Sequence, residues 1–255
     1  KHNNEEIMEQ RYAGKGVIVT GAGSGIGRGV AERLGAEGGK VACLDVNIEN
    51  ARETANAIGN GAIAFACDVS SWANVESVVS EVTKAFGQVD MLCNVAGIGG
   101  FDNSHDGDPA KFERMIAVNL TGTYFMCRAV LPQMVERGHG VIVNTSSTAA
   151  VMGQPWSAAY CASKGGVSAL TRALATEYDV PIRICAVAPG GVETNMYSAF
   201  IPPKGADWGR MRKMSRDNVE VGKPAELASF YAYLGSDEAR YVSGATLMMD
   251  GGISC

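Results

Sequence analysis

A chain of 255 residues, 46% hydrophobic and 19% charged, is long enough to bury one sizeable α/β core. Its formal net charge of −5 and pI near 5.3 argue against a nucleic-acid partner, and no apolar run reaches membrane-spanning length. Seven cysteines without a close pair, most of them in apolar runs, predict buried reduced thiols and a cytoplasmic location, and three scattered histidines (His2, His105, His139) predict no metal site.

Residues 1–13 read as a polar N-terminal tail, acidic and unlike a signal peptide. Gly16-Val17-Ile18-Val19-Thr20 is a β-branched run that ends at Gly21-Ala22-Gly23-Ser24-Gly25-Ile26-Gly27, ahead of a helical pattern from Arg28 to Glu37. Glycines let a backbone approach a pyrophosphate, and the opening helix adds amide donors and the positive end of a dipole. Alone, such a turn is weak evidence. The next strand, Val41 to Asp45, ends in a carboxylate at the spacing expected for an adenosine ribose, which strengthens the dinucleotide reading.

Strand and helix patterns then alternate. Ala62–Cys67 precedes Asp68, a helix spans about Ser71 to Phe86, and Val89–Cys93 precedes Asn94. A helix from Asn119 to Arg137 leads to the strand at Gly140-Val141-Ile142-Val143-Asn144-Thr145, followed by Ser146-Ser147. Residues 151–156 connect to a helix from Ala158 to Tyr178, after which Ile182–Ala188 is a buried strand broken by Pro189-Gly190-Gly191. The stretch 195–222 is long and irregular, which predicts a substrate lid. Its cations Arg210, Arg212, Lys213 and Arg216 read as a solvated helix face. A helix at Pro224–Leu234 and a strand at Thr246–Met249 close the fold. This order is α/β, one doubly wound parallel sheet of Rossmann type with helices on both faces, in a single domain over 1–255.

Within the helix from Ala158, Tyr160 and Lys164 lie four residues apart and share a face. A phenol with a pKa near ~10 needs a neighbouring cation to exchange protons at neutral pH. Bringing it to ~7 takes about 4 kcal/mol. A cation at ~4 Å supplies about 1 kcal/mol in water but about 4 at an effective dielectric near 20, so a working pair must be partly desolvated. By itself, Tyr-xxx-Lys is more often an ordinary surface pair.

These residues resemble the short-chain dehydrogenase/reductase family from Gly14 to Gly252. Thr20-Gly21-xxx-Gly25-x-Gly27 has the TGxxxGxG spacing, Asp68-Val69 matches an adenine-contacting pair, and Asn94-Val95-Ala96-Gly97 is similar to NNAG. Asn119, Ser147, Tyr160 and Lys164 match the catalytic tetrad. Pro189-Gly190-Gly191-Val192-Glu193-Thr194 resembles the segment that holds the nicotinamide carboxamide, and Asp250-Gly251-Gly252 the family's ending. Val95 and Cys185 depart from the pattern, each standing where Asn is common.

The resemblance implies hydride transfer between a nicotinamide and a secondary alcohol or ketone. Tyr160 would be the acid or base, Lys164 its pKa partner and ribose ligand, Ser147 the partner of the reacting oxygen, and Asn119 the support of a water relay. Taken singly, Ser147 could finish a strand and Asn119 could cap the following helix. Cofactor contacts are expected from Gly21, Ser24, Gly25, Ile26, Gly27, Asp45, Asp68, Val69, Asn94, Ala96, Gly97, Tyr160, Lys164, Pro189, Gly190, Val192 and Thr194. Asp45 accepts from a free 2′-hydroxyl and repels a 2′-phosphate, and Ser24 and Val46 stand where NADP-using relatives carry cations, so the cofactor is expected to be NAD.

A small to medium, fairly apolar substrate is expected from Ile98, Phe101, Val151, Met152, Trp156, Met196, Tyr197 and Phe200. A second enzyme reading is 3-oxoacyl-[acyl-carrier-protein] reductase, disfavoured by Asp179-Val180-Pro181 where such relatives carry basic residues. A catalytically silent dinucleotide-binding regulator would be expected to lack part of the tetrad. The resemblance also implies a homotetramer, with small residues such as Ala169, Ala173 and Ala175 allowing close helix approach.

Overall fold

The computed structural model describes residues 10–178, 181–212 and 220–255. Outside them lie 1–9 of the expected tail, Asp179 and Val180, and 213–219 of the expected lid with Lys213 and Arg216. In chain order the elements are β1 (Gly16–Thr20), α1 (Gly25–Ala36), β2 (Lys40–Asp45), α2 (Ile48–Ile58), β3 (Ile63–Ala66), α3 (Trp72–Phe86) and β4 (Met91–Asn94). Then come α4 (Pro109–Ile116), a π turn (Ala117–Thr121), α5 (Gly122–Arg137), β5 (Gly140–Thr145), α6 (Ala158–Glu177) and β6 (Ile182–Pro189). The short α7 (Trp208–Met211), α8 (Pro224–Gly235) and β7 (Thr246–Met249) follow.

The strands form one seven-stranded sheet in the order β3-β2-β1-β4-β5-β6-β7, every pair parallel. Successive residues of a strand face opposite sides, so a parallel sheet with two covered faces needs apolar residues at every position. Val17, Val19, Cys43, Met91, Cys93, Val143 and Val187 point toward Leu34 of α1 and Leu227 and Tyr231 of α8. Ile18, Leu44, Leu92, Ile142 and Ile184 point the other way, toward Val79 of α3 and Met126 and Val130 of α5. The two clusters explain why the strand segments read as unbroken apolar runs. Strand order reverses between β1 and β4, and there the carboxyl ends of the strands open a crevice.

The sequence reading passes over two helices, α2 and α4, each of which buries few residues. Buried residues of α2 are only Ala51, Thr54 and Ala55, and of α4 only Met115. Both have clear caps: Asn47 Oδ1 accepts from the amides of Glu49 and Asn50, and Asp108 caps α4 ahead of Pro109. The helix expected to begin at Asn119 begins ten residues earlier and runs through the π turn. Asn119 is therefore an interior residue, fully buried, and not a cap. Nor are residues 10–13 a loose tail. Tyr12 is fully buried with its hydroxyl donating to the Ala232 carbonyl (2.5 Å), and Arg11 bridges Glu37 and Glu238.

The described parts of 195–222 leave the sheet after β6 and return to it. Glu193 N donates to Gly222 O (2.8 Å) and Gly222 N to Gly191 O (2.9 Å), which closes the base of the excursion. All seven cysteines are free; five are buried, Cys161 is half-buried and Cys255 exposed. Among the described residues no helix is long and apolar enough to cross a membrane.

Candidate active site

The register of β1 on β2 sets Thr20 beside Leu44, and so brings the glycine turn next to Asp45. The Gly23 amide donates to Asp45 Oδ2 (2.9 Å) and the Asn47 amide to Oδ1 (2.9 Å), which fixes the carboxylate at the rim of the turn. Gly27 must be glycine, since a Cβ there would lie 2.1 Å from the Gly21 carbonyl oxygen. Gly21 itself takes a φ of +66° and lies against Ala96. The side chain of Ser24, the N-cap of α1, makes no capping hydrogen bond, so the first amides of the helix stand open to an anion. These features fit a dinucleotide: a close-approach turn, an open helix N-terminus and a carboxylate held at the rim of the turn.

Across the switch point, Thr20 Oγ1 accepts from the amides of Val95 and Ala96, both at 3.0 Å, and holds the loop after β4 against the turn. Asp68 accepts from the Ser70 hydroxyl (2.6 Å) and amide (3.0 Å), and these bonds, with help from Arg114 3.9 Å away, hold its carboxyl below the usual range. Asn94 points into the core: its amide nitrogen donates to Asn144 Oδ1 (2.9 Å), a contact the β4–β5 register creates.

Beyond β5 the chain brings Ser147, Tyr160 and Lys164 to one cavity wall. Ser146 differs from its neighbour: its hydroxyl is spent on Ser168 (2.7 Å) and the Lys164 carbonyl (3.1 Å) within α6. Ser147 instead opens a short 3₁₀ turn, its hydroxyl accepting from the Ala149 amide (3.1 Å), and lies close enough to the Tyr160 phenol to lower its pKa. Lys164 is buried, and its ammonium donates to the Thr145 carbonyl (2.8 Å) while lying 5.8 Å from the Tyr160 ring centre.

Burial, the desolvation required of a working pair, acts on both members. It pushes Tyr160 above the ordinary phenol value, with the neighbouring Ser147 hydroxyl pulling back, and brings Lys164 down to about 8. The expected depression of the phenol by the lysine is not seen, because desolvation dominates and the ammonium is aimed at a carbonyl.

Asn119 does not line the cavity. Its Oδ1 accepts from Ile98 N (2.8 Å), and its Nδ2 donates to Ile98 O (2.9 Å) and Ser163 Oγ (3.0 Å), tying the loop after β4 to α6. The π turn, one residue wider than an α turn, is the element that carries this residue. Its carbonyl accepts from the Thr123 hydroxyl (2.8 Å).

One cavity of about 990 Å³ connects these groups. Its walls include Gly21, Ser24, Gly25, Ile26, Gly27, Asp45, Asp68, Val69, Ala96, Gly97, Pro189, Gly190, Val192 and Thr194, together with Ser147, Tyr160 and Lys164. From β2 to β5 is three strand spacings, about 14 Å, a span suited to an extended dinucleotide. Asn94 and Asn119, by contrast, lie behind the wall.

Of the substrate candidates, Ile98, Phe101, Met196, Tyr197 and Phe200 line this cavity. Met152 and Val151 do not: their amides both donate to Thr148 O, and Val151 is 65% exposed. Trp156 lines a neighbouring cavity of about 840 Å³, on the far side of Phe101. Arg114, Gln154, Pro202 and Ile253 carry no role in the sequence reading, yet they line the main cavity, as does Arg212, which was expected only on a solvated helix face. Gln154 lies within the 151–156 connection that leads into α6, and that position was its available signal; Ile253 arrives from a C-terminal turn capped by Asp250.

The model of the family described as short chain dehydrogenase matches residues 15–204. 2-(S)-hydroxypropyl-CoM dehydrogenase 3 of Xanthobacter autotrophicus is 35% identical over 253 residues, covering 97% of this chain and 99% of its own. 3beta-hydroxysteroid dehydrogenase 1 of Eggerthella lenta is 40% identical over 255 residues, covering 97% and 96%. The crystal structure of 3-ketoacyl-(acyl-carrier-protein) reductase from Brucella melitensis complexed with NADH aligns with a TM-score of 0.87 and 37% identity, covering 95% of this chain and 99% of that one. With the glycine turn, the parallel sheet and the Ser147–Tyr160–Lys164 wall in place, this chain belongs to the short-chain dehydrogenase family, oxidoreductases that act on secondary alcohols and ketones with a nicotinamide dinucleotide.

Proposed function

We propose that the protein is an NAD-dependent secondary-alcohol dehydrogenase or ketone reductase for small to medium, fairly apolar substrates, with Tyr160 as acid/base. The observation that carries this reading is the single cavity that joins Asp45 and the glycine turn to Ser147, Tyr160 and Lys164. The nicotinamide supplies the hydride acceptor or donor. Asp45 receives the ribose hydroxyls, and the open amides at the start of α1 receive the pyrophosphate. Tyr160 Oη takes the carbinol proton in oxidation and returns it in reduction. Ser147 holds the reacting oxygen, Lys164 faces the ribose, and Asn119 acts as a positioning residue through Ile98 and Ser163. The five buried thiols suit a cytoplasmic protein.

NAD over NADP is supported by Asp45, which forms no ion pair among the described residues, and by Val46 beside it, 72% exposed. Asp45→Ala combined with Val46→Arg is expected to swing the preference toward NADP by roughly 100-fold or more, the scale of removing a repelling charge and adding an attracting one. Titration of both cofactors with wild type and variant decides it. Equal wild-type affinity for the two would remove the assignment.

The likeness to the Brucella melitensis reductase supports a second reading, reduction of 3-oxoacyl thioesters on a carrier. An alcohol and ketone panel run against an acetoacetyl carrier thioester separates the two by relative kcat/KM.

We also propose a homotetramer built on α5 and α6. Ala169 and Ala173 share an exposed face of α6, and Phe112 of α4 and Tyr124 and Val135 of α5 are exposed apolar residues. Ala175, by contrast, packs inward against the core. Light scattering at micromolar concentration is expected to give about four times the 26.7 kDa chain mass, and a monomeric mass would rule this out.

A further inference from the structure

The lid turn at 194–201 bonds its own backbone. Tyr197 N donates to Thr194 O (3.0 Å), Ala199 N to Met196 O (3.0 Å), Phe200 N to Tyr197 O (3.3 Å) and Ile201 N to Ala199 O (3.0 Å). Within 197–201 only Phe200 is half-buried; the rest are exposed, Ile201 by 73%. Its ring meets Tyr160 edge-on with centroids 5.3 Å apart, and Phe101 in the same manner at 5.1 Å. Gly99 forms the remaining side of the seat. A Cβ on Gly99 would lie 2.5 Å from Phe200 Cζ and 2.6 Å from Cε2. Gly99 is not among the positive-φ glycines, so this position needs glycine for room and not for backbone conformation.

We propose that Phe200, seated on Gly99, is the specificity-determining residue of the substrate end and the tether that holds the lid turn closed. With Tyr160 and Phe101 on its other sides, the ring is the group that must give way to a methyl at Gly99, and leaving its seat loosens the turn it anchors. A small substituent on the carbinol carbon fits beside the seated ring, whereas a bulky one needs the ring displaced. The specificity part rests on the proposed role of Tyr160, whereas the tether does not.

The test is a cycle of Gly99→Ala, Phe200→Ala and the double variant. It is read by amide hydrogen exchange over 197–201 and by kcat/KM for a bulky secondary alcohol relative to a small one. Each single substitution is expected to speed exchange by roughly tenfold, as overpacking or loss of a packed ring dictates. The double variant should exchange no faster than Phe200→Ala, because the added methyl then has nothing to strike. Phe200→Ala should also raise the bulky-to-small ratio roughly tenfold, the scale set by one or two methylenes of pocket space.

An equal effect of Gly99→Ala with and without the ring would overturn the seat. Unchanged exchange in Phe200→Ala would overturn the tether, and an unchanged ratio the specificity role. Retained turnover in Tyr160→Phe would sink the acid/base reading, while the exchange cycle would still decide the tether.

Discussion

Tyr160→Phe is expected to lower turnover by roughly 10²- to 10⁴-fold, the range of a positioned acid/base, while affinity for NAD stays nearly unchanged. The substitution removes the hydroxyl that neighbours Ser147, yet it leaves the ring against Phe200 and near Lys164. The pH profile follows from the pair. Tyr160 and Lys164 sit within one desolvated wall, and the first proton to leave the pair as pH rises does so at or below the value of about 8 that burial gives Lys164. The resulting state includes the form with a phenolate beside an ammonium, the form that accepts a carbinol proton. Oxidation by the wild type should therefore rise with pH through a break near 8, well below the free phenol at ~10. Steady-state rates from pH 6 to 11 together with an NAD titration check both parts. Near-normal turnover in the phenylalanine variant would leave the helix pair a structural feature.

Lys164→Met should change stability and activity in opposite directions. In the folded chain the lysine titrates near 8, below the ordinary value of 10.5, because its charge is buried. Between those values the unfolded chain binds more protons than the folded one, so this group makes stability rise with pH across the window. Below about 8 the buried ammonium exerts its full cost, on the order of 3 kcal/mol, offset in part by its bond to the Thr145 carbonyl. The methionine variant lacks the titration. Its stability relative to wild type should be highest near pH 7 and fall by about 3 kcal/mol toward pH 10.5. Denaturant melts at a series of pH values read this directly, and a flat difference would mean that Lys164 keeps its ordinary pKa. Turnover should drop as in Tyr160→Phe, and any residual oxidation break should move upward, toward the raised phenol value.

Much of the fold was legible because the central parallel strands, buried on both faces, are unbroken apolar runs; the edge strands β3 and β7, only partly buried, were still recognisable as short apolar runs. Helices α2 and α4 escaped that reading because they bury few residues and so add little to the apolar runs that mark the core. In the site, residues in the glycine turn and the Tyr160–Lys164 helix were readable because fixed local spacing places them: a helix face repeats after four residues, and a tight turn needs glycine at set positions. Asn94 and Asn119 were readable as motif members, but their burial was not. Which way a side chain points depends on the register of β4 on β5 and on a π turn that spacing does not announce.

From its residues alone the chain determined the strand order's raw material, the glycine turn, the carboxylate at Asp45 and the shared face of Tyr160 and Lys164. These are local consequences of backbone geometry and apolar patterning. Tertiary structure alone decided the electrostatics of the pair, since burial depends on what packs around a side chain and not on its neighbours in sequence; burial moved both members, where simple proximity would have moved one. It also decided that Trp156 lies beyond Phe101, that Arg114, Gln154 and Arg212 reach the cavity, and that Phe200 rests on Gly99. Those contacts join segments far apart along the chain, as with Gly99 and Phe200, and the open parallel sheet brings them to one end of its strands.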